Sequence, residues 1–230
     1  MLTLYTLCGA DASRPFSPHA WKAVMALAHK GLAFEETPTP FTAVAAIAPD
    51  AAKTVPILRD GTKIVADSFV IAAYLDEAYP DRPSLFGGPG GEAMARFVET
   101  WTLATLHTAL ASIIMIDIHD CLAPTDQAYF RETREKRFGK SLEDVVVNRD
   151  AEIAAFPAKL QPLRLMLAKQ PFIGGASPLF ADYIVFGALQ WARISSPAQL
   201  LPAGDPVTDW FERCLDLHGG IARAVPAAAA

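Results

Sequence analysis

The feature that most constrains this chain is a change of character at Gly87-Gly88-Pro89-Gly90-Gly91. Before it, short strand-like runs alternate with helical patterns; after it, only helical periodicities remain. Leu2 to Leu7 reads as a strand, and Pro18 to about Lys30 as a helix with Trp21, Val24, Met25 and Ala28 on one face. Gly31 ends that helix, and Leu32 to Glu36 forms a second strand through a right-handed crossover. Thr37 to Ala52 reads as a loop with a short helix. Val55–Arg59 and Lys63–Ala66 form a hairpin turning at Asp60-Gly61. A helix over Ser68–Tyr79 closes this half, stopped by Pro80. The expected order is β-α-β-α-β-β-α, giving a fold class of α/β plus all-α. The predicted divisions are a domain over 1–84, a linker over 85–91 and an all-helical domain over 92–230.

In the second half, Glu92 to about Asp117 reads as one long amphipathic helix, with Met94, Phe97, Val98 and Trp101 facing inward. Thr125 to about Phe138 is a charged helix whose alternating signs (Arg131, Glu132, Arg134, Glu135, Lys136, Arg137) predict a solvated face. Further helices are expected over Ala151–Lys169, divided or kinked by Pro157 and Pro162, and over Phe180–Arg193 and Val207–Leu217.

Of the 230 residues, 52% are hydrophobic and 20% charged, and the formal charge is −5. That balance fits a folded globular chain and disfavours nucleic acid or an anionic membrane as partner. The apolar run Ala109–Ile116 is too short to span a bilayer, and Leu2-Thr3-Leu4-Tyr5 does not open like a signal peptide. Three scattered cysteines, Cys8, Cys121 and Cys214, predict a reducing cytoplasm. Cys and His spacings suggest no metal site.

Three short elements carry the chemistry. Ser17-Pro18 opens the first helix, where a Ser cap, a first-turn Pro and unpaired N–H groups make an anion site, or simply a cap. Thr54-Val55-Pro56 enters the hairpin; a turn there leaves the backbone of Val55 free to pair with an extended peptide. Asp67-Ser68 begins the last helix of the half. Its carboxylate and hydroxyl can hold the ammonium and carboxylate of a small zwitterion, though each alone is more often a cap.

Together SPxxWK, TVP and DSxxIxxYL, in this order and spacing, resemble the glutathione-binding half of the glutathione S-transferase superfamily. PLFADYIVFGAL resembles a segment of its helical half, so the likeness covers nearly the whole chain. The resemblance implies an N-terminal thioredoxin-like domain with a mixed four-stranded sheet, a C-terminal helical bundle, and glutathione as co-substrate. It also implies a cis Val55-Pro56 bond, pairing of Val55 with the cysteinyl backbone, and Asp67-Ser68 on the γ-glutamyl end. Ser17 aligns with the residue contacting the sulfur, Thr54 stands where a longer polar residue is usual, and Lys53 is the candidate for the glycyl carboxylate. Asp117 to Val145 further resembles the β-etherases and related transferases, implying cleavage of β-aryl ethers or attack on another hydrophobic aromatic electrophile. A homodimer through the long helix is likewise implied. Isomerase, dehalogenase and non-catalytic binding readings share the same thiol site.

Phe16, Ile113 and Ile116 are candidates for the acceptor pocket, with plain core packing as the alternative. Cys8, at a strand end, reads as a buried structural thiol and not as a mixed-disulfide former. Ser13 and His19 lie near the first helix, and His119-Asp120 reads as an ion pair before it reads as a catalytic one. Leu179 stands where the superfamily has a capping Ser, Thr or Asn before Asp182, so the cap must come from Asp182 itself or from a start shifted to Ser177.

Overall fold

A computed structural model of the chain describes residues 1–49 and 52–229. Strands β1 (Leu2–Leu7), β2 (Phe34–Thr39), β3 (Ile57–Asp60) and β4 (Lys63–Ala66) form one sheet in the order β2-β1-β3-β4. β2 runs parallel to β1, whereas β1/β3 and β3/β4 are antiparallel. Helix α1 (Pro18–His29) links β1 to β2, and α2 (Ser68–Ala78) follows β4. This is the thioredoxin-like half expected from the sequence. The short helix of the Thr37–Ala52 stretch is a 3₁₀ turn, Phe41–Ala46; residues 50 and 51 lie outside the described residues.

The second strand begins later than its hydrophobic run suggests. Gly31, at φ +63°, and Leu32 are consumed by the end of α1: Leu32 N–H donates to the Leu27 carbonyl and Gly31 N–H to that of Ala28. This paired C-terminal cap leaves the strand to start at Phe34. Pro38 is tolerated because β2 is an edge strand.

The helical half contains α3 (Pro89–Trp101), a π-helical segment (Thr102–His107) and α4 (Thr108–Asp120), continuous as one 32-residue rod. Then come α5 (Pro124–Phe138), α6 (Leu142–Val145), α7 (Arg149–Lys159), α8 (Gln161–Leu167), α9 (Phe180–Ser195) and α10 (Pro206–Gly220), the last with its helical dihedrals broken at Leu217–Gly219. The rod is long and apolar enough by length and composition to cross a membrane, but half of its most apolar stretch is buried within the protein. Pro157 sits inside α7 and Pro162 in the first turn of α8, so the chain divides between them at Leu160.

Two expectations are corrected here. The inner stripe of α3 is the small pair Ala95 and Val98, while Met94 and Phe97 are 55% and 67% exposed. A rod packed closely on α9 admits small side chains at the contact and turns the large ones outward. The stretch read as a linker is also integral to the core: Leu85 and Phe86 are buried, and α3 already begins at Pro89. Asp76 accepts from the Leu85 N–H at 2.9 Å and from the buried Lys30 ammonium at 2.7 Å. Phe86 meets Phe69 and Phe180, each at 5.4 Å between centroids.

The two halves meet chiefly along α1 and α9. Gly187 makes this possible: a Cβ there would lie 2.4 Å from the Pro18 carbonyl oxygen. Trp21 meets Phe186 edge-on at 6.4 Å, and the fully buried Lys22 donates to Glu99 of α3 at 2.8 Å. The missing cap at Leu179 is supplied from inside α9. Asp182 accepts N–H bonds from Leu179, Ile173, Gly174 and the Trp210 indole at 2.7–3.0 Å. Burial pushes this carboxyl's pKa up, against the four donors that hold it down.

A directional chain ties α1, α9 and α10. His29 Nε2 lies 3.1 Å from the Ser84 carbonyl and so carries a proton. Its Nδ1 therefore accepts from the Tyr183 hydroxyl at 2.7 Å, which in turn accepts from His218 Nε2 at 3.0 Å. Burial, and the neighbouring His29, push His218 down to about 4.

Replacing Asp182 by Ala strands four donors, one of them the fully buried Trp210 indole. It should lower unfolding stability by about 3 kcal/mol or more, read as a fall in the urea midpoint at unchanged slope. For His218, a depressed native pKa means that the unfolded chain binds more protons below its ordinary 6.5. Stability is therefore full above that pH and falls as the pH drops toward 4. Allowing for solvent screening, about 1 kcal/mol should be lost between pH 7.5 and 5. His218→Asn, which tolerates the local φ of +52°, should lose correspondingly less in the same paired urea titrations.

Candidate functional site

A cleft of about 820 Å³ opens between the two halves. Ser17, Lys53, Thr54, Val55, Pro56, Asp67, Ser68 and Phe16, all singled out from the sequence, line it together. Ser17 is 4% exposed and caps α1, its Oγ accepting the Ala20 N–H at 3.2 Å. The hydroxyl proton has no acceptor among the described residues, so it is available to an anion in the cleft. The loop before it is fixed by Trp21, whose indole donates to the Pro15 carbonyl at 2.9 Å, and by the Phe16 N–H on the Leu7 carbonyl at 2.9 Å.

The Val55-Pro56 peptide bond is cis. Because β3 starts only at Ile57, neither the N–H nor the C=O of Val55 pairs with another described residue. Asp67 caps α2 through one oxygen, which accepts from Phe69 and Val70 at 2.8 and 3.0 Å. It does so at φ +74°, a left-handed conformation that costs a non-glycine residue about 1–3 kcal/mol and concentrates at functional sites. Beside it Ser68 is 1% exposed, and its hydroxyl has no hydrogen-bond partner among the described residues. A buried polar atom left unsatisfied on a cleft wall has hydrogen-bonding capacity to offer a bound molecule.

The 3₁₀ turn roofing this end is held by a residue the motif reading missed. Asp126 of α5, 2% exposed, accepts from the N–H groups of Phe41 and Thr42 at 2.8 and 3.0 Å and from the Thr42 hydroxyl at 2.7 Å. Its signal in the sequence was slight, an acidic residue in the first turn after Pro124.

The opposite wall comes from the long rod and α5. Leu103, His107, Thr108, Ala111, Ser112, Met115 and Ile118 face the cleft. Ile113 and Ile116, expected there, do not: Ile113 is fully buried and Ile116 packs against the core. Successive residues rotate by about 100°, and the face running through 111, 115 and 118 excludes both. The π-helical segment, a local irregularity frequent at functional sites, presents His107. His107 meets His19 (5.2 Å) and Trp191 (5.6 Å) with the rings tilted by 40°, and its buried Nε2 has no partner among the described residues. Burial pushes both His19 and His107 down to about 3, so both are neutral hydrogen-bonding groups at physiological pH.

The weaker candidates separate from the cleft. Cys8 is buried, which raises its thiol pKa, and Cys121 is pushed up to about 11 by burial. Ser13 turns its hydroxyl onto Asp11 at 2.6 Å in solvent. His119 Nδ1 pairs with Asp120 at 2.9 Å near the C-terminus of α4, an ion-pair geometry without cleft contact. The charged helix α5 departs from its expected solvated face, since Arg134 and Arg137 line the cleft with Tyr129, Phe130 and Phe138.

Residues 16–78 match the family model described as glutathione S-transferase, N-terminal domain, and residues 93–216 the one described as glutathione S-transferase, C-terminal domain. The chain is 28% identical over 139 residues to the glutathione S-transferase-like protein ustS of Aspergillus flavus, covering 55% of this chain and 50% of that protein. It therefore spans about half the length of the curated relative it matches. Among solved structures, a glutathione S-transferase of Ceriporiopsis subvermispora in complex with glutathione has a TM-score of 0.80 at 22% identity, covering 100% of this chain and 99% of that one. A glutathione transferase of Phanerochaete chrysosporium has a TM-score of 0.77 at 25% identity, covering 100% and 98%. With one family model spanning the greater part of the helical half and another most of the thioredoxin-like half, the chain belongs to the glutathione S-transferase family.

Proposed function

We propose that this protein is a glutathione transferase in which Ser17 stabilises the glutathione thiolate for attack on a hydrophobic aromatic electrophile. The observation that carries the reading is the convergence of an uncommitted Ser17 hydroxyl, an unpaired Val55 backbone and an unpartnered Ser68 hydroxyl on one cleft. Their chemistry matches a γ-glutamyl tripeptide. Asp67 and Ser68 take the α-ammonium and α-carboxylate, Val55 pairs with the cysteinyl amide as an added strand would, and Lys53 with Thr54 takes the glycyl end.

A free thiol titrates near 8.5, so little is thiolate at neutral pH. A hydroxyl donating to the sulfur, beside the positive end of α1, favours the charged form; each pKa unit is worth about 1.4 kcal/mol. The thiolate attacks the electrophilic carbon, a carbon–sulfur bond forms, and the bond to the leaving group breaks. An aryloxide leaving group departs with the electron pair and takes a proton from solvent. Cleavage of β-aryl ethers is the reaction we favour. The stretch 117–145, where the β-etherase resemblance resides, supplies much of the acceptor wall, including Ile118, Tyr129, Phe130 and Phe138.

A homodimer and a reducing, cytoplasmic location complete the reading. The first is supported by Val70, Met94 and Phe97, large apolar side chains exposed on α2 and α3. The second is supported by Cys8, Cys121 and Cys214, all free.

Ser17→Ala should raise the pKa of the bound thiol, read from thiolate ultraviolet absorbance, and lower kcat/KM about tenfold or more with a β-aryl ether or chloro-aromatic probe. Ser17→Thr, which keeps both cap and hydroxyl, should restore much of each. An unchanged thiol pKa and turnover in Ser17→Ala would sink the proposal. Phe97→Glu should shift the sedimentation mass from two chains to one; a wild-type protein sedimenting as a single chain contradicts the dimer.

A further inference from the structure

Resting on the transferase reading, we propose that the acceptor half of the cleft is built for an aromatic substrate bearing a fixed negative charge, gripped by Arg134 and Arg137.

The argument begins with how α5 disposes of its cations. Arg131 is neutralised by Glu135 and Glu143, each at 2.9 Å. Arg134 and Arg137, three and six residues further on, turn to the cleft with Phe130 and Phe138. No carboxylate among the described residues lies within ion-pair distance of either. Among the described residues the Arg134 guanidinium hydrogen-bonds only the Thr133 hydroxyl, at 3.1 Å. Its guanidinium lies 4.8 Å from the centre of the Phe130 ring and 5.5 Å from that of Phe41. Burial and the like charge of Arg137 both push the Arg134 pKa down, so the protein spends stability to keep two adjacent guanidiniums here. Lys140 extends the positive rim, its ammonium meeting only the Asp144 carbonyl, at 3.1 Å, among the described residues.

A half-buried cation without a counter-ion is costly in a folded protein, and an incoming anion relieves that cost. Guanidinium forks favour planar, bidentate acceptors such as carboxylate or sulfonate. The surrounding aromatic rings favour a flat ring attached to that group. The ligand that satisfies both is an aromatic acid.

The test uses the whole protein and two probes that differ in charge, naphthalene-2-sulfonate and the neutral naphthalene-2-sulfonamide, titrated calorimetrically. The wild type should bind the sulfonate about tenfold tighter or more. Arg134→Gln with Arg137→Gln should bring the ratio to within about twofold while glutathione binds within about twofold of wild type. Arg137 is exposed, so Arg137→Gln alone, verified as folded by circular dichroism, should reduce the ratio about threefold and keeps the question answerable if the double variant is unstable. A wild-type ratio near unity overturns the proposal. So does a double variant that loses glutathione as strongly as the sulfonate, because the cations would then serve the glycyl carboxylate. Ser17→Ala should bind both probes as wild type does, so a failure of the thiolate reading and a failure of this one are distinguishable.

Discussion

The packing of α1 on α9 is the contact on which the remaining structure depends. Gly187 brings α9 to within touching distance of the Pro18 carbonyl, so the first turn of α1 is seated directly on the helical half. The same turn carries Ser17. About one turn further along, Trp21 and Lys22 reach sideways, to Phe186 and to Glu99. The SPxxWK motif is thus a cap, a hydrophobic anchor and a buried ion pair on successive faces of a single helix. Closing this interface fixes where Ser17 lies relative to the wall that faces it.

The cleft that results is defined by polar groups the fold leaves without partners. Four buried side-chain atoms among the described residues lack a hydrogen bond, and two of them, on Ser68 and His107, belong to the cleft lining. The other two are on Arg14 and Thr102, whereas buried carboxylates are fully engaged, as at Asp182 with four donors and Asp126 with three. Unsatisfied donors and acceptors cost about 1–3 kcal/mol each in a closed interior. The pair on Ser68 and His107 leaves the cleft wall with hydrogen-bonding capacity unused among the described residues.

Much of the thioredoxin-like half was legible in the sequence because its signals are local. Strand alternation, the Gly31 stop, the Asp60-Gly61 turn and the Ser-Pro helix start each depend on neighbours a few residues away. The helical half was legible in its elements and not in their orientation. Met94 and Phe97 share a helical stripe with Val98, and periodicity does not say which of two apolar faces turns inward. The phase of the rod escaped for a second reason: the π-helical segment at Thr102–His107 turns less per residue than an α-helix and so shifts the register of faces along the rod, with Ile113 in the core and His107 at the cleft. Alternating charges on α5 concealed two kinds of arginine, one neutralised by its own helix and by α6, the other turned inward toward aromatic rings.

By itself the sequence determined the break near Gly87–Gly91, the order of the main strands and helices, and the three motifs Ser17-Pro18, Thr54-Val55-Pro56 and Asp67-Ser68. All of these are set by backbone propensity and short-range spacing. The tertiary structure alone decided that those motifs share a cleft with Arg134, Arg137 and His107, and that Leu85–Phe86 is core and not linker. It also decided that Asp126 holds down the 3₁₀ turn from a helix more than eighty residues away. These depend on which faces meet when the two halves close, and that is governed by side-chain volume and charge compensation summed over the whole interface.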